Sequence, residues 1–378
     1  MKKSNQVLAL FCISFSLFAK APQPECAGVN GPGFTVGDGS VDSPYLICNH
    51  KQFKRLTTET ELLSQHFKLG TNLNFANRAY TPIASVDNPF VGGFDGDGYM
   101  LSNITLPSPV GAGYNAPFRV VKNAIFKNLT IKGMTLSLPG GGPIAGGIIG
   151  EADGCTLSNL KVKELNMGAP DRSGGVVGKL TNSTLVNSSA EGKMFQHFGT
   201  DASGGLAGHV SNSIINACSS NVLISTTTRD PFGVGSIGGL IGSMLNSEVS
   251  NVYAIGDIDY SLGLESTGPQ VVGGLVGAMI SSTIEYAYYA GKITINAEHL
   301  GGAVGVALNP ETPVIPVPTG ETVYWDTEVS GITQSAVGEG HLTSTLKTKQ
   351  FWEERAFNGA VWIIKEGRYP RLKAAAVE

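Results

Sequence analysis

Apolar residues recur in this chain at fixed distances from a glycine signature. Six segments share it: Gly146-Gly147-Ile148-Ile149-Gly150, Gly174-Gly175-Val176-Val177-Gly178, Gly204-Gly205-Leu206-Ala207-Gly208, Gly238-Gly239-Leu240-Ile241-Gly242, Gly273-Gly274-Leu275-Val276-Gly277 and Gly301-Gly302-Ala303-Val304-Gly305. Their starts lie 28, 30, 34, 35 and 28 residues apart. Periods of this size mark solenoids, propellers or arrays. Counted from the first glycine, the twelfth residue is Leu157, Leu185, Ile215, Val249 and Ile284, and the fifteenth is Leu160, Ser188, Cys218, Val252 and Ala287. Such columns arise when coils stack at the ~4.8 Å strand spacing around one interior. None of them has helical period. The pattern predicts an all-β chain, a parallel β-helix whose glycines sit at tight corners, through positive φ or through the missing Cβ.

The fourteenth position carries Asn159, Asn187 and Asn251, interrupted by Ala217 and Tyr286, with Asn103 and Asn128 as earlier members. Stacked amides at a turn hydrogen-bond along the ladder and tolerate left-handed backbone. Upstream, Phe94-Asp95-Gly96-Asp97-Gly98-Tyr99 reads as a turn entering a strand, and Ile125 to Met134 as another coil. Asn49 is placed to cap a helix carrying Phe53 and Leu56, and Leu62 and Leu63 suggest more helix. At the other end Trp352, Phe357, Trp362 and Tyr369-Pro370 break the repeat with bulky apolar cover, as a terminal cap must. The predicted divisions are therefore an exported leader over 1–19, a disulfide loop and helical cap over 20–66, the β-helix over 67–322 and a C-terminal cap over 323–378.

Composition narrows the class. Glycine supplies 50 of 378 residues, roughly twice its ordinary share, while 15% of residues are charged and 42% hydrophobic. The glycines follow no collagen period, and the apolar content is too high for disorder. The leader is read from Met1-Lys2-Lys3, an apolar run from Val7 to Ala19 and a small-residue exit at Ala19-Lys20-Ala21. That run is shorter than the ~20 residues that span a bilayer. Loss of Lys2 and Lys3 would move the formal charge from −4 to −6, which disfavours nucleic acid and anionic membranes as partners. Export also favours a disulfide between Cys26 and Cys48, whereas Cys155 and Cys218 read as small buried hydrophobes.

These residues resemble the GLUG-motif family, named for its Gly-Leu-hydrophobic-Gly core and found in bacterial surface and secreted proteins, including adhesin-like and filamentous-haemagglutinin-like chains. The resemblance runs from Gly37-Asp38-Gly39 and Tyr45-Leu46-Ile47-Cys48 through Asn88-Pro89-Phe90 to Gly98, all six repeats, and Tyr324-Trp325-Asp326 to Tyr369-Pro370. It implies a right-handed parallel β-helix at or outside a bacterial surface. It carries no catalytic residues to transfer.

Catalytic signatures are sparse. Gly233-Val234-Gly235-Ser236-Ile237-Gly238 matches a dinucleotide fingerprint, but a glycine repeat follows where a helix N-terminus is required. There is no H-E-x-x-H, G-x-x-x-x-G-K-[ST] or G-x-S-x-G segment. Asp95 with Asp97, and Asp38 with Asp42, could offer oxygens to a weakly held Ca²⁺; ordinary Asp-Gly turns account for them better. No other cofactor and no metal site is predicted. Repeat length varies in the stretch before each Gly-Gly, so these loops should line one edge and carry any ligand site. They hold Asp171 and Arg172, His197 and Asp201, Arg229 and Asp230, and Asp259 and Glu265. The first reading is a non-enzymatic exported protein displaying these loops to a surface, matrix or glycan ligand. The alternative, by analogy with other β-helices, is a polysaccharide lyase or hydrolase in which Asp171, Asp201, Asp230 and Asp259 converge across a groove.

Overall fold

The computed structural model describes residues 20–373 apart from 77, 79, 107–112, 138–143, 170, 197–200, 227–234, 261–270, 296 and 309–321. The predicted leader lies outside the described residues. The chain forms a parallel β-solenoid with two seven-stranded sheets and a third, 19-stranded sheet along its whole length. One coil shows the plan. Ile144–Gly146 lies in the first sheet, Ile149–Asp153 in the second, and Thr156–Ser158 followed by Lys161–Ala169 in the third. Two-residue links join these strands. The first glycines stack in register, Gly146 on Gly174, Gly204, Gly238, Gly273 and Gly301. So do Leu157, Leu185, Ile215, Val249 and Ile284, all at most 2% exposed. Toward the N-terminal end the same column is aromatic, through Phe67, Phe94 and Phe126.

Glycine acts at these corners through close approach, not through positive φ. Among the described residues with left-handed backbone there is no glycine of the six signatures. A Cβ on Gly175 would sit 2.1 Å from the Gly205 carbonyl oxygen of the next coil, and one on Gly208 would lie 2.5 Å from Gly178 O and 2.8 Å from Ser173 N. Backbone cannot yield there, so no side chain fits.

The left-handed positions belong to asparagine. Asn103, Asn128, Asn159, Asn187 and Asn251 have φ between 50° and 55°, and Ala217 (54°) and Tyr286 (49°) hold the same conformation where the column is interrupted. The amides bridge coils, Asn159 Nδ2 donating to Asn128 Oδ1 at 3.0 Å and Asn128 Nδ2 to Asp95 Oδ1 at 3.0 Å. A second such column, at the ninth position, is formed by Gly154, Asn182, Asn212, Asn246 and Ser281, with Asn123 before it. Next to it at the tenth position stand Cys155, Ser183, Ser213, Ser247 and Ser282, all buried. Each of these serine hydroxyls accepts the amide one coil back, as Ser213 Oγ does from Ser183 N at 3.0 Å, and donates to the carbonyl two residues before it, as to Ser211 O at 2.7 Å. Cys155 takes the serine role, its thiol directed at Asp153 O. Burial raises its pKa and pushes that of Cys218 up to about 12, so both are inert packing groups.

The third sheet reaches into both terminal segments. Cys26 is bonded to Cys48, and Asn49 caps the helix His50–Arg55 by accepting from Lys51 N and Gln52 N. Phe53, Leu56, Leu62 and Leu63 are buried, Phe53 packing on Phe75, Tyr80 and Phe94. Yet Tyr45–Ile47 already pairs with His66–Leu69, so the third sheet begins inside the predicted cap. Likewise Val323–Asp326 and Glu339–His341 continue that sheet beyond 322. Parallel pairing is made by backbone and needs no glycine signature, which is why the boundary was invisible in the repeat. The C-terminal segment also lies laterally. Leu346, Phe351, Trp352, Phe357, Trp362 and Leu372 form their own apolar cluster with Tyr253, Tyr288, Tyr324 and Ala217, three of them consecutive tyrosines of one column of the third sheet.

Two stability outcomes are expected. Replacing exposed Asn212 by Val should lower the unfolding free energy by about 1–2 kcal/mol, while Ser281→Gly should leave it unchanged or raise it by up to ~1 kcal/mol. Ser213→Ala, which strips Ser183 N of its acceptor, should cost about 1–3 kcal/mol. Urea unfolding midpoints read all three.

Candidate functional site

The strand ends that bound the variable stretches fall on one edge. Ala169 is in register with Gln196, Gln196 with Thr226 and Thr226 with Tyr260 where the third sheet leaves off, and Arg172, Ala202, Ser236 and Val271 align where the first sheet resumes. Of the residues predicted for this edge, His197, Arg229, Asp230 and Glu265 lie outside the described residues. Asp171 and Asp201 are stacked, the Asp171 carbonyl accepting from Asp201 N at 2.8 Å and Ala202 N at 2.9 Å. Arg172 grips Asp201 from the coil below, its Nε 2.6 Å and its Nη2 2.5 Å from Oδ2. Asp259 lies on the other bank of this edge, next to the last residue of its third-sheet strand and in register with Ser225, with a buried Oδ1 that has no hydrogen-bond partner among the described residues.

The ion pair belongs to a larger polar cluster. At the sixth position of the repeat, one residue past the last glycine, the second sheet carries Glu151, Lys179, His209 and Ser243 in one register column. Lys179 Nζ is 2.9 Å from Glu151 Oε1, and His209 Nδ1 is 2.8 Å from Ser243 Oγ. Tyr114, at the start of the first sheet, is hydrogen-bonded to Glu151; burial first, then that carboxylate, pushes its phenol up to about 12. Burial lowers the His209 pKa, the Arg172 and Lys179 charges push it further down, and Asp201 opposes them. Tyr114, Glu151, Lys179, Arg172, Asp201 and His209 thus share one electrostatic neighbourhood. The continuation of the column, Ala278 and Val306, is apolar, so the cluster is local.

The cluster's chemistry is that of paired charges around a neutral imidazole. Glu151 is matched by Lys179 and Asp201 by Arg172, leaving hydrogen-bonding capacity for a ligand and no facing pair of unpaired carboxylates within the cluster. Three of the aspartates considered for calcium, Asp95, Asp97 and Asp38, have partners of their own. Asp97 Oδ2 lies 2.8 Å from Lys20 Nζ and 3.4 Å from Lys68 Nζ, while Asp95 Oδ1 accepts from Asp97 N. Asp38 accepts from Ser40 N at 2.9 Å, and the hydrogen bonds from Ser40 hold its carboxyl below the usual range. The bonds from Asp97 N and Ser40 N are turn contacts, and those from Lys20 and Lys68 are ion pairs between distant parts of the chain. Sequence reasoning missed Glu151, Lys179, His209 and Tyr114; the available signal was the polar run at the sixth position through four successive repeats.

No protein-family model matches the chain. Curated relatives include halomucin of Haloquadratum walsbyi, 27% identical over 173 residues or 42% of this chain, and an immunoglobulin A1 protease of Streptococcus sanguinis, 29% identical over 175 residues or 44%. The matched regions are 2% and 9% of those two proteins. Among solved structures, an IgA1 protease aligns with TM-score 0.50 and 21% identity over 66% of this chain and 20% of its own. A Bacteroides ovatus protein described as a candidate immunoglobulin A1 protease aligns with TM-score 0.54 and 19% identity over 90% of this chain and 95% of its own. These likenesses establish the β-solenoid fold.

His209 gives the cluster a pH signature. Its pKa lies below the ordinary 6.5, so the unfolded chain binds the proton first and the stability due to neutral His209 is present above pH 6.5 and lost as pH falls through the folded value. NMR titration should place the His209 midpoint below 6.5, moving upward in Lys179→Gln and further down in Asp201→Asn.

Proposed function

We propose that this chain is an extracellular or cell-surface β-solenoid of the GLUG type that acts without catalysis, displaying one edge for adhesion or for envelope or matrix contacts. The observation that carries the reading is the state of the acids at and beside the edge: Asp201 is held by Arg172 and Glu151 by Lys179, while Asp259 is near the end of a third-sheet strand, across the edge from Asp171 and Asp201, which immediately precede first-sheet strands. A glycosidase needs two carboxyl groups free to exchange protons or attack across a groove. Paired charges instead favour recognition. The Cys26–Cys48 disulfide supports an oxidising location, and no helix among the described residues is long and apolar enough to cross a membrane. The halomucin and immunoglobulin A1 protease matches support the scaffold; their small share of those proteins' lengths carries no protease activity to this chain.

The reading is tested by two assays run in parallel. Incubation with a panel of plant, bacterial and animal polysaccharides should release no new reducing ends or unsaturated sugars, and labelled protein should bind whole cells or matrix preparations. Release of either product would replace display with carbohydrate cleavage.

A further inference from the structure

A tyrosine stack on the outer face of the third sheet stops abruptly, and the space where it stops is lined for an acidic sugar. The column reads Lys161, Ser189, Ser219, Tyr253, Tyr288, Tyr324 in successive coils. Tyr253 and Tyr288 stack at 5.2 Å with rings 4° from parallel, and Tyr369 of the lateral cap stacks on Tyr288 at 5.9 Å and 13°. Tyr288 is fixed by donating to Pro370 O at 2.6 Å. The next rung after Tyr253 is Ser219, then Ser189, so no ring in the column continues the stack. With rungs ~4.8 Å apart, the two serine rungs leave roughly 14 Å from the last tyrosine to Lys161.

A cavity of about 280 Å³ occupies this stretch. Three of its lining side chains are cationic, Lys161, Lys163 and Arg371, against one carboxylate, Glu191. That excess stands out in a chain of formal charge −4. Ser189, Ser219 and the Tyr253 phenol, the last two hydrogen-bonded to each other, supply groups that both donate and accept, with the Asn221 amide beside them. The combination of an aromatic wall, a hydroxyl floor and a cationic rim suits a ring that is apolar on its face, hydroxylated at its edge and negatively charged.

We propose that this cavity binds a carboxylated sugar unit of an acidic polysaccharide, its ring extending the tyrosine stack over Ser219 and its carboxylate directed to Arg371, Lys161 and Lys163. The site is on the outer face of the third sheet against the cap, and the inference does not depend on the display edge having a ligand.

The test is calorimetric titration of the full chain with tetragalacturonate, with a neutral tetrasaccharide of similar length and with inorganic phosphate. Tetragalacturonate should bind at least about tenfold more tightly than either control. Ser219→Tyr, which extends the stack with the protein's own ring, should weaken it by about tenfold or more, and Arg371→Gln by several-fold. Unfolding midpoints verify that the variants are folded; if Ser219→Tyr is not, the half-buried double variant Lys161→Gln/Lys163→Gln decides in its place. No binding at millimolar tetragalacturonate, equal affinity for the neutral sugar, phosphate binding as tight as the uronate, or wild-type affinity in the folded variants would each overturn the assignment.

Discussion

Every residue of this solenoid must fit against the residue that holds its place one coil away. In-register parallel pairing imposes that constraint, because the interstrand spacing brings each backbone position and side chain directly over its counterpart. A solution that works once is therefore repeated down the column. Three kinds of column follow from it. Glycine stands where one backbone meets another, as at Gly175 beneath the Gly205 carbonyl. Asparagine stands where the corner is left-handed. Serine stands where a buried amide would otherwise lack an acceptor, each hydroxyl closing one coil onto the next.

The same constraint explains how the ends are managed. A stack has two open ends and exposed sheet faces, and the edge groups invite further pairing unless covered. At the N-terminal end the helix His50–Arg55 brings Phe53 down onto the first rings of the interior, anchored by a disulfide. The C-terminal segment solves a different problem. Tyr253, Tyr288 and Tyr324 point outward from consecutive coils, and Trp352, Phe357 and Trp362 bury them. Ala217 and Tyr286 break the asparagine ladder at this level, where apolar side chains touch the cap: Ala217 lies within the cap cluster and Tyr286 packs edge-on against Phe357. Between them Asn251 keeps its amide, whose Oδ1 accepts from Trp362 Nε1 of the cap at 3.1 Å; at Ala217 and Tyr286 the left-handed corner is kept and apolar contact replaces the amide.

Much of this was legible because repetition amplifies weak signals. The twelfth-position aliphatics, the Asn49 cap and the Cys26–Cys48 pair could all be read from spacing and residue type. The ninth-position asparagines and tenth-position serines repeat as regularly but were missed, since isolated Asn and Ser in a glycine-rich chain resemble ordinary turn residues. The role of the Gly-Gly pair was open between positive φ and close approach, and only coordinates separate the two. Variation in repeat length pointed to one edge, where Asp171, Arg172 and Asp201 lie side by side. The sixth-position cluster escaped because Glu151, Lys179, His209 and Ser243 share no residue type; they share a place, and their coupling appears only when coils are stacked.

Function on such a scaffold concentrates where a column changes character. A uniform column only propagates structure, since each member satisfies the next and nothing is left for a ligand. At the sixth position the charged and polar residues lie between Val120 on one side and Ala278 and Val306 on the other, which confines the ion pairs and the neutral His209 to one stretch of the second sheet. In the outer column of the third sheet, aromatic rungs give way to Ser219 and Ser189, leaving a ring face and a row of hydroxyls side by side. Both are discontinuities in an otherwise self-satisfying ladder. Neither requires a mobile element, because the rigidity of the stack already holds the groups in place before a ligand arrives, and that lowers the ordering cost of recognition.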